Sequence, residues 1–199
     1  MFKPSQGKRC RVTLIAGLQC LDGILLASDR EESGGDRKGS VPKIFEFHNS
    51  DCVLAVAGAG HGPLCDLTIE RMRRAANKEA DKFVEDHERV LKDVLLEVHS
   101  EYIWNSASSD DRRIAFIIAV QDLIKKEQLL YLTCEEILQP RVDYACSGTG
   151  EIIGGYFLER LYQPDLLIAE SEHLLGFILK EAKDSVGGVG RENGIRSTG

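Results

Sequence analysis

The stretch that most restricts what this chain can fold into runs from Val12 to Arg30, VTLIAGLQCLDGILLASDR. Two apolar runs flank Asp22-Gly23, and an Asp-Gly pair in that setting is a strong local signal for a β-hairpin. Thr13 then opens the first strand and Asp29 closes the second. A hairpin carries no chemistry by itself. A hydroxyl at its start, a carboxylate at its end and Lys43 shortly beyond make a specific arrangement.

At 199 residues the chain suits one domain, and a domain of this size buries about 70% of its unfolded surface, so no staple is required. Lys plus Arg total 25 against 32 Asp plus Glu, a formal net charge of -7. That balance disfavours a nucleic-acid groove or an anionic membrane surface, both of which need a basic field. The cysteines, Cys10, Cys20, Cys52, Cys65, Cys134 and Cys146, form no C-x-x-C pair; buried reduced thiols are expected rather than a disulfide framework or a zinc site. His61 and His173 have no second ligand at metal spacing, so neither metal nor cofactor is expected. Residues 1–12 read as a flexible leader or propeptide, with no signal-type apolar core, and Ile15 to Ala27 is broken by Gln19, Asp22 and two glycines. Nothing spans a membrane, and a cytoplasmic protein is expected.

Beyond the hairpin, Glu31 to Ser40 is polar and glycine-rich and reads as a solvent loop. Val41 to Phe47 and Asp51 to Ala57 read as a second strand pair, with His48-Asn49-Ser50 as the turn. Gly58 to Pro63 breaks the sheet pattern and opens a helix. Two helices follow, one through Leu64, Leu67, Thr68, Met72 and Ala75, the next through Phe83, His87, Leu91, Leu95 and Val98 to about Asn105. Arg113 to Val120 is an apolar run of the kind covered on both faces, with Gln128 to Thr133 and Ile137 to Val142 as neighbours. Two further helical stripes follow Ser147-Gly148-Thr149-Gly150, with Gly187-Gly188 placed to cap the second. Strands, helices, strands, helices with packed apolar strand faces predict an α+β protein, an αββα sandwich.

Thr13, the hairpin through Ala27-Ser28-Asp29-Arg30, Lys43 before Ile-Phe-Glu-Phe, Ala57-Gly58, Cys146-Ser147-Gly148 and Ala182-Lys183-Asp184 together resemble the β-type subunits of the proteasome family, closest in flavour to the bacterial proteasome-like proteins. The resemblance covers nearly all of residues 12 to 188 and implies the N-terminal nucleophile hydrolase fold over residues 13–199. It implies that the Thr13 hydroxyl attacks an amide carbonyl while its own α-amine takes the proton. An α-amine titrates at roughly 7.7–8.0, and a nearby ammonium, the role given to Lys43, lowers it toward neutrality. Asp29 would hold Lys43, the Gly58 N–H would meet the oxyanion, and Ser147 and Asp184 would hydrogen-bond around the amine. Peptide or unfolded-protein substrates and a homo-oligomeric ring or stack follow from the same resemblance.

Taken singly, each residue has an ordinary explanation. Thr13 is a good strand residue, Asp29 ends a strand, Lys43 is a solvated edge charge, Gly58 permits a turn, Ser147 caps a helix, and Asp184 pairs with Lys180 or Lys183. Only their joint order points to a site. The chain also departs from the family pattern. Val12 stands where a self-cleaving Thr usually follows Gly, and as numbered the Thr13 amine is in a peptide bond. Either the leader is removed autocatalytically, or Val12 is a misread start codon. Glu31 replaces a common basic residue and Gly187 an expected Ser, and the chain stops at Gly199 where further strands are usual, so the second sheet is either short or cut off. A silent structural or regulatory subunit is the competing expectation. A phosphate cradle at Gly58-x-Gly60-x-Gly62 is a third, weakened by the wrong spacing.

Overall fold

A computed structural model describes residues 13–34, 37–78, 80–104, 112–186 and 193–198. The hairpin forms as β1 (Ile15–Cys20) and β2 (Gly23–Asp29), with β10 (Tyr144–Ser147) against β1 and β11 (Asn193–Thr198) against β2. A five-stranded sheet runs in the order β5 (Ile44–His48), β6 (Cys52–Gly60), β7 (Ile114–Asp122), β8 (Glu127–Cys134), β9 (Ile137–Arg141), and β3 (Glu31–Gly34) pairs with β4 (Arg37–Ser40) as a separate ribbon. All pairings are antiparallel.

Both faces of the central strands are buried, which is why they read as apolar runs rather than alternating ones. In β6, Cys52, Leu54 and Val56 face α1 (Gly62–Lys78), α2 (Ala80–Glu85) and α3 (His87–Val98), while Ala55, Ala57 and Ala59 face the other sheet. In β1, Ala16, Leu18 and Cys20 face α4 (Glu151–Leu161) and α5 (Ile168–Val186), while Ile15 points between the sheets. The layers are therefore α, β, β, α, as the element order predicts. The sheets approach closely: a Cβ on Gly17 would lie 2.8 Å from the Ile117 side chain.

Several elements differ from the reading of the sequence. The β1–β2 turn is Leu21-Asp22, one residue earlier than Asp22-Gly23, because Cys20 pairs with Gly23; the Leu21 N–H donates to the Leu166 carbonyl, and the Asp22 carboxylate accepts the Ile168 N–H, so α5's approach sets this turn. Residues 31–34 and 37–40 are strands, not a loop. The second helix breaks at Asp86, whose carboxylate caps α3 by accepting the Arg89 N–H, and α3 runs on into a π-helical turn, His99–Ile103. Gly58 and Gly60 do not leave the sheet but extend β6. The short β10 lacks a periodic signature, and β11 was not legible in the glycine-containing Asn193–Thr198. Asn49 does make the expected turn, accepting from the Asp51 and Cys52 N–H groups. Of the described cysteines only Cys134 is exposed, at the end of β8. None of the described helices is long and apolar enough to cross a membrane. Residues 1–12 and the Gly187-Gly188 cap lie outside the described residues.

Burial holds His87 and His99 below the ordinary imidazole value. For His87 the Lys125 charge acts in the same direction, with Asp122, Glu88 and Asp86 opposing, and its Nε2 meets the Tyr131 hydroxyl at 2.8 Å. On acidification the unfolded chain takes up these protons first, near pH 6.5. Stability is thus full above that pH and falls as pH drops toward the folded values. Urea unfolding midpoints at roughly pH 7.5 and 5.5 should show this fall, and His87→Gln, which keeps a partner for Tyr131, should flatten it; an unchanged slope in the variant would acquit His87.

Candidate active site

The β1–β2 ladder continues one pair beyond its last strand residues. The Asp29 N–H donates to the Leu14 carbonyl at 3.1 Å, and the Leu14 N–H donates to Asp29 Oδ1 at 3.0 Å. This places the Asp29 carboxylate, fully buried, beside the residue that follows Thr13. Lys43, directly before β5, extends its ammonium from the second sheet to both Asp29 oxygens at 2.9 Å, and the same Nζ lies 3.3 Å from Thr13 Oγ1. The Lys43 side chain is 11% exposed. A buried carboxylate that accepts from an ammonium and a backbone N–H has most of its lone pairs satisfied, which is what makes such burial tolerable.

The other side of Thr13 is clamped by the turn after β10. The Thr13 N–H donates to Thr149 Oγ1 at 2.9 Å, and its carbonyl accepts the Gly150 N–H at 3.2 Å. Gly148 sits at φ +105°, where a Cβ would lie 2.2 Å from the Thr13 carbonyl oxygen. Only glycine lets this turn close on Thr13. A cavity of about 950 Å³ opens here, lined by Thr13, Gly60, Trp104, Ser147, Gly148 and Thr149 among others.

Of the residues singled out in the sequence, the structure joins Thr13, Asp29 and Lys43 in one hydrogen-bonded cluster. Ser147 ends β10, where it pairs with Ile15, and lines the same cavity; its hydroxyl makes no hydrogen bond to a described residue. Asp184 is exposed near the end of α5, outside this cluster, and its carboxylate makes no hydrogen bond or ion pair among the described residues. Gly58 is corrected: its N–H donates to the Lys43 carbonyl at 3.0 Å, so it is spent in the β5–β6 edge and is not available to an oxyanion. That bond, and the one from the His61 N–H to the Arg113 carbonyl, also remove the converging donors a phosphate cradle needs. His173 is exposed and braces its own helix through Ala169. Thr149, His99 and Trp104 line this cavity without having been given a role from the sequence, and Gly60, weighed there only for a phosphate cradle, lines it too. For Thr149 a signal existed, a second hydroxyl two residues after Ser147.

The family model described as "Proteasome subunit" matches residues 12–194, and the chain belongs to that family. No curated protein matches the sequence. Among solved structures, the Anbu complex of Pseudomonas aeruginosa, described as a helical assembly, superposes with a TM-score of 0.77 at 17% identity, covering 93% of this chain and 80% of that one. Anbu, the ancestral β-subunit, from Yersinia bercovieri gives 0.78 at 14% identity over 92% and 80%, and Anbu from Hyphomicrobium sp. strain MC1 gives 0.76 at 16% over 93% and 81%. At these identities the likeness establishes the fold.

Removing one member of the buried Lys43–Asp29 pair should cost far more than removing both. Asp29→Leu strands an ammonium in the interior, and a loss of about 3–5 kcal/mol is expected. The double variant Asp29→Leu with Lys43→Met should recover much of it, as measured in a double-mutant cycle by urea unfolding; additive losses would mean the pair is not coupled.

Proposed function

We propose that this proteasome-family chain is a threonine-type amide hydrolase, a peptidase whose nucleophile is the Thr13 hydroxyl. The observation that carries the reading is one ammonium, Lys43 Nζ, held by the buried Asp29 carboxylate and placed 3.3 Å from Thr13 Oγ1. An ammonium at that distance stabilises the alkoxide that develops during attack and disfavours a proton on a neighbouring free amine.

Once the peptide bond to Val12 is broken, the Thr13 amine takes the hydroxyl proton as Oγ1 bonds to the substrate carbonyl carbon. The amine then gives that proton to the departing nitrogen as the C–N bond breaks, leaving an ester on Oγ1 that water hydrolyses. Thr149 Oγ1, already the partner of the Thr13 nitrogen, orients the amine, and Ser147 on the same wall is within the cavity's polar rim. Asp184 has no part in the geometry that supports this reading.

Gly60 is the better oxyanion donor. N–H groups alternate along a strand edge, so Gly60 shares its edge with Gly58, two residues on and beyond the first residue of β5, and it lines the cavity that holds Thr13. Its φ of +116° and the 2.1 Å approach of a hypothetical Cβ to the Arg113 carbonyl fix glycine there. The helical assembly described for the Pseudomonas relative favours a homo-oligomer; peptide or unfolded-protein substrates and a cytoplasmic setting belong to the same proposal and rest on the family alone.

The competing reading, a silent subunit, is favoured by Gly187 in place of the expected Ser, by the exposed Asp184 outside the cluster, and by the peptide bond that holds the Thr13 nitrogen in this sequence. Intact mass and N-terminal sequencing of the protein from its native host separate the two. A chain starting at Thr13 that cleaves peptide amides, with Thr13→Ala lowering kcat/KM by roughly 10³-fold or more, is the expected result; a chain that keeps Val12 and cleaves nothing overturns it.

A further inference from the structure

We propose that the cavity beside Thr13 binds the portion of the peptide that departs with the new amine, and that Trp104, Ile114 and His99 receive its first side chain, with tyrosine favoured and acidic residues rejected. The inference rests on the reading of Thr13 as nucleophile.

Proton transfer fixes the side. The proton that leaves Oγ1 goes to the Thr13 nitrogen and from there to the departing nitrogen, so the departing nitrogen must lie within hydrogen-bond reach of the Thr13 nitrogen. That nitrogen points at Thr149, and Thr149 with Gly148 and Ser147 lines the cavity. Lys43, which meets Thr13 through Oγ1, does not line it. The cavity therefore opens on the leaving-group side.

Its size and walls indicate what it takes. A volume of about 950 Å³ lies at the upper end of the roughly 300–1,000 Å³ typical of ligand sites and exceeds one side chain several-fold. One wall comes from the π turn, where the Trp104 N–H bonds the His99 carbonyl at 3.0 Å and brings His99, Ile103 and Trp104 to the same side. Single π turns occur frequently at functional sites. The Trp104 indole is half exposed, an aromatic surface beside Ile103 and Ile114. His99 is buried, and its Nε2 has no hydrogen-bond partner among the described residues. A buried polar atom left unpaired is costly; His99 lines the cavity with its Nε2 closed off from solvent as the ring stands, so a turn of the imidazole toward the cavity lets a hydroxyl carried in on an aromatic ring supply the missing partner. The rim carries Glu135 and Glu151 against Arg113, which disfavours a carboxylate in the occupant.

Trp104 is the only tryptophan in the chain, so intrinsic fluorescence reports this wall directly. The test titrates the full chain with the product-like peptides Tyr-Gly-Ala-Ala and Asp-Gly-Ala-Ala, both with free amines. A saturable change in Trp104 emission is expected, with the Asp peptide roughly tenfold weaker and His99→Ala costing the Tyr peptide roughly tenfold. No saturable change, or equal affinities for the two peptides, overturns the proposal. Should His99→Ala fail to fold, Trp104→Ala serves. Its kcat/KM should fall roughly tenfold further for peptides extended beyond the cleaved bond than for a dye amide, and equal falls count against the cavity. The titration needs no turnover. Absent hydrolysis with intact titration defeats only the nucleophile, whereas hydrolysis without a Trp104 response defeats only the cavity.

Discussion

Asp29 is the group on which the rest of the site depends. A carboxylate with no exposure to solvent has to be paid in hydrogen bonds, and its partners here come from different parts of the chain: the Leu14 N–H at the head of β1 and the Lys43 ammonium at the head of β5. Each bond also fixes the partner. Satisfying one buried charge thereby locks the residue next to Thr13, aims Lys43 at Oγ1 and ties the ends of two separate sheets together. The electrostatics of the site and the alignment of the layers are one constraint.

The layers permit this because the residues between the sheets are small. Ala55, Ala57, Ala59, Ala119 and Ala145 share that interface with Ile15, Ile24, Leu26 and Ile117, and Gly17 leaves no room for a Cβ. Larger side chains would push the sheets apart, and a cation reaching from one sheet to a carboxylate on the other has little slack. Packing density at this interface, which reaches the cavity at Ala59, constrains the Lys43–Thr13 distance.

The layer order was legible because burial on both faces writes continuous apolar runs into β2, β6 and β7, and because hairpin and helix signals separate them. Thr13, Asp29 and Lys43 were legible through their joint order. What sequence could not carry is edge chemistry. Whether the Gly58 N–H is free depends on the β5–β6 register, which pairs Ile44 with Ala57 and so sets Lys43 opposite Gly58, and no local pattern encodes that pairing. The same holds for the π turn at His99 and for the four-residue β10, too short to show a period. The break at Asp86 was legible in principle, since an Asp three residues before Arg89 is ordinary capping chemistry.

The bond between the Thr13 nitrogen and Thr149 Oγ1 joins residues 136 positions apart. During synthesis Thr13 is made long before Thr149, with β1 to β10 and the first three helices between them. Contacts of such separation form late, because loop closure must be met before they return anything. The β1–β2 hairpin and the Asp29 carboxylate can be in place long before the turn at Gly148 closes on Thr13. On the proposed reading, a chain caught part-way through folding holds the Thr13 hydroxyl without the Thr149 contact that orients its amine. The timing of the proposed activity is thereby tied to topology.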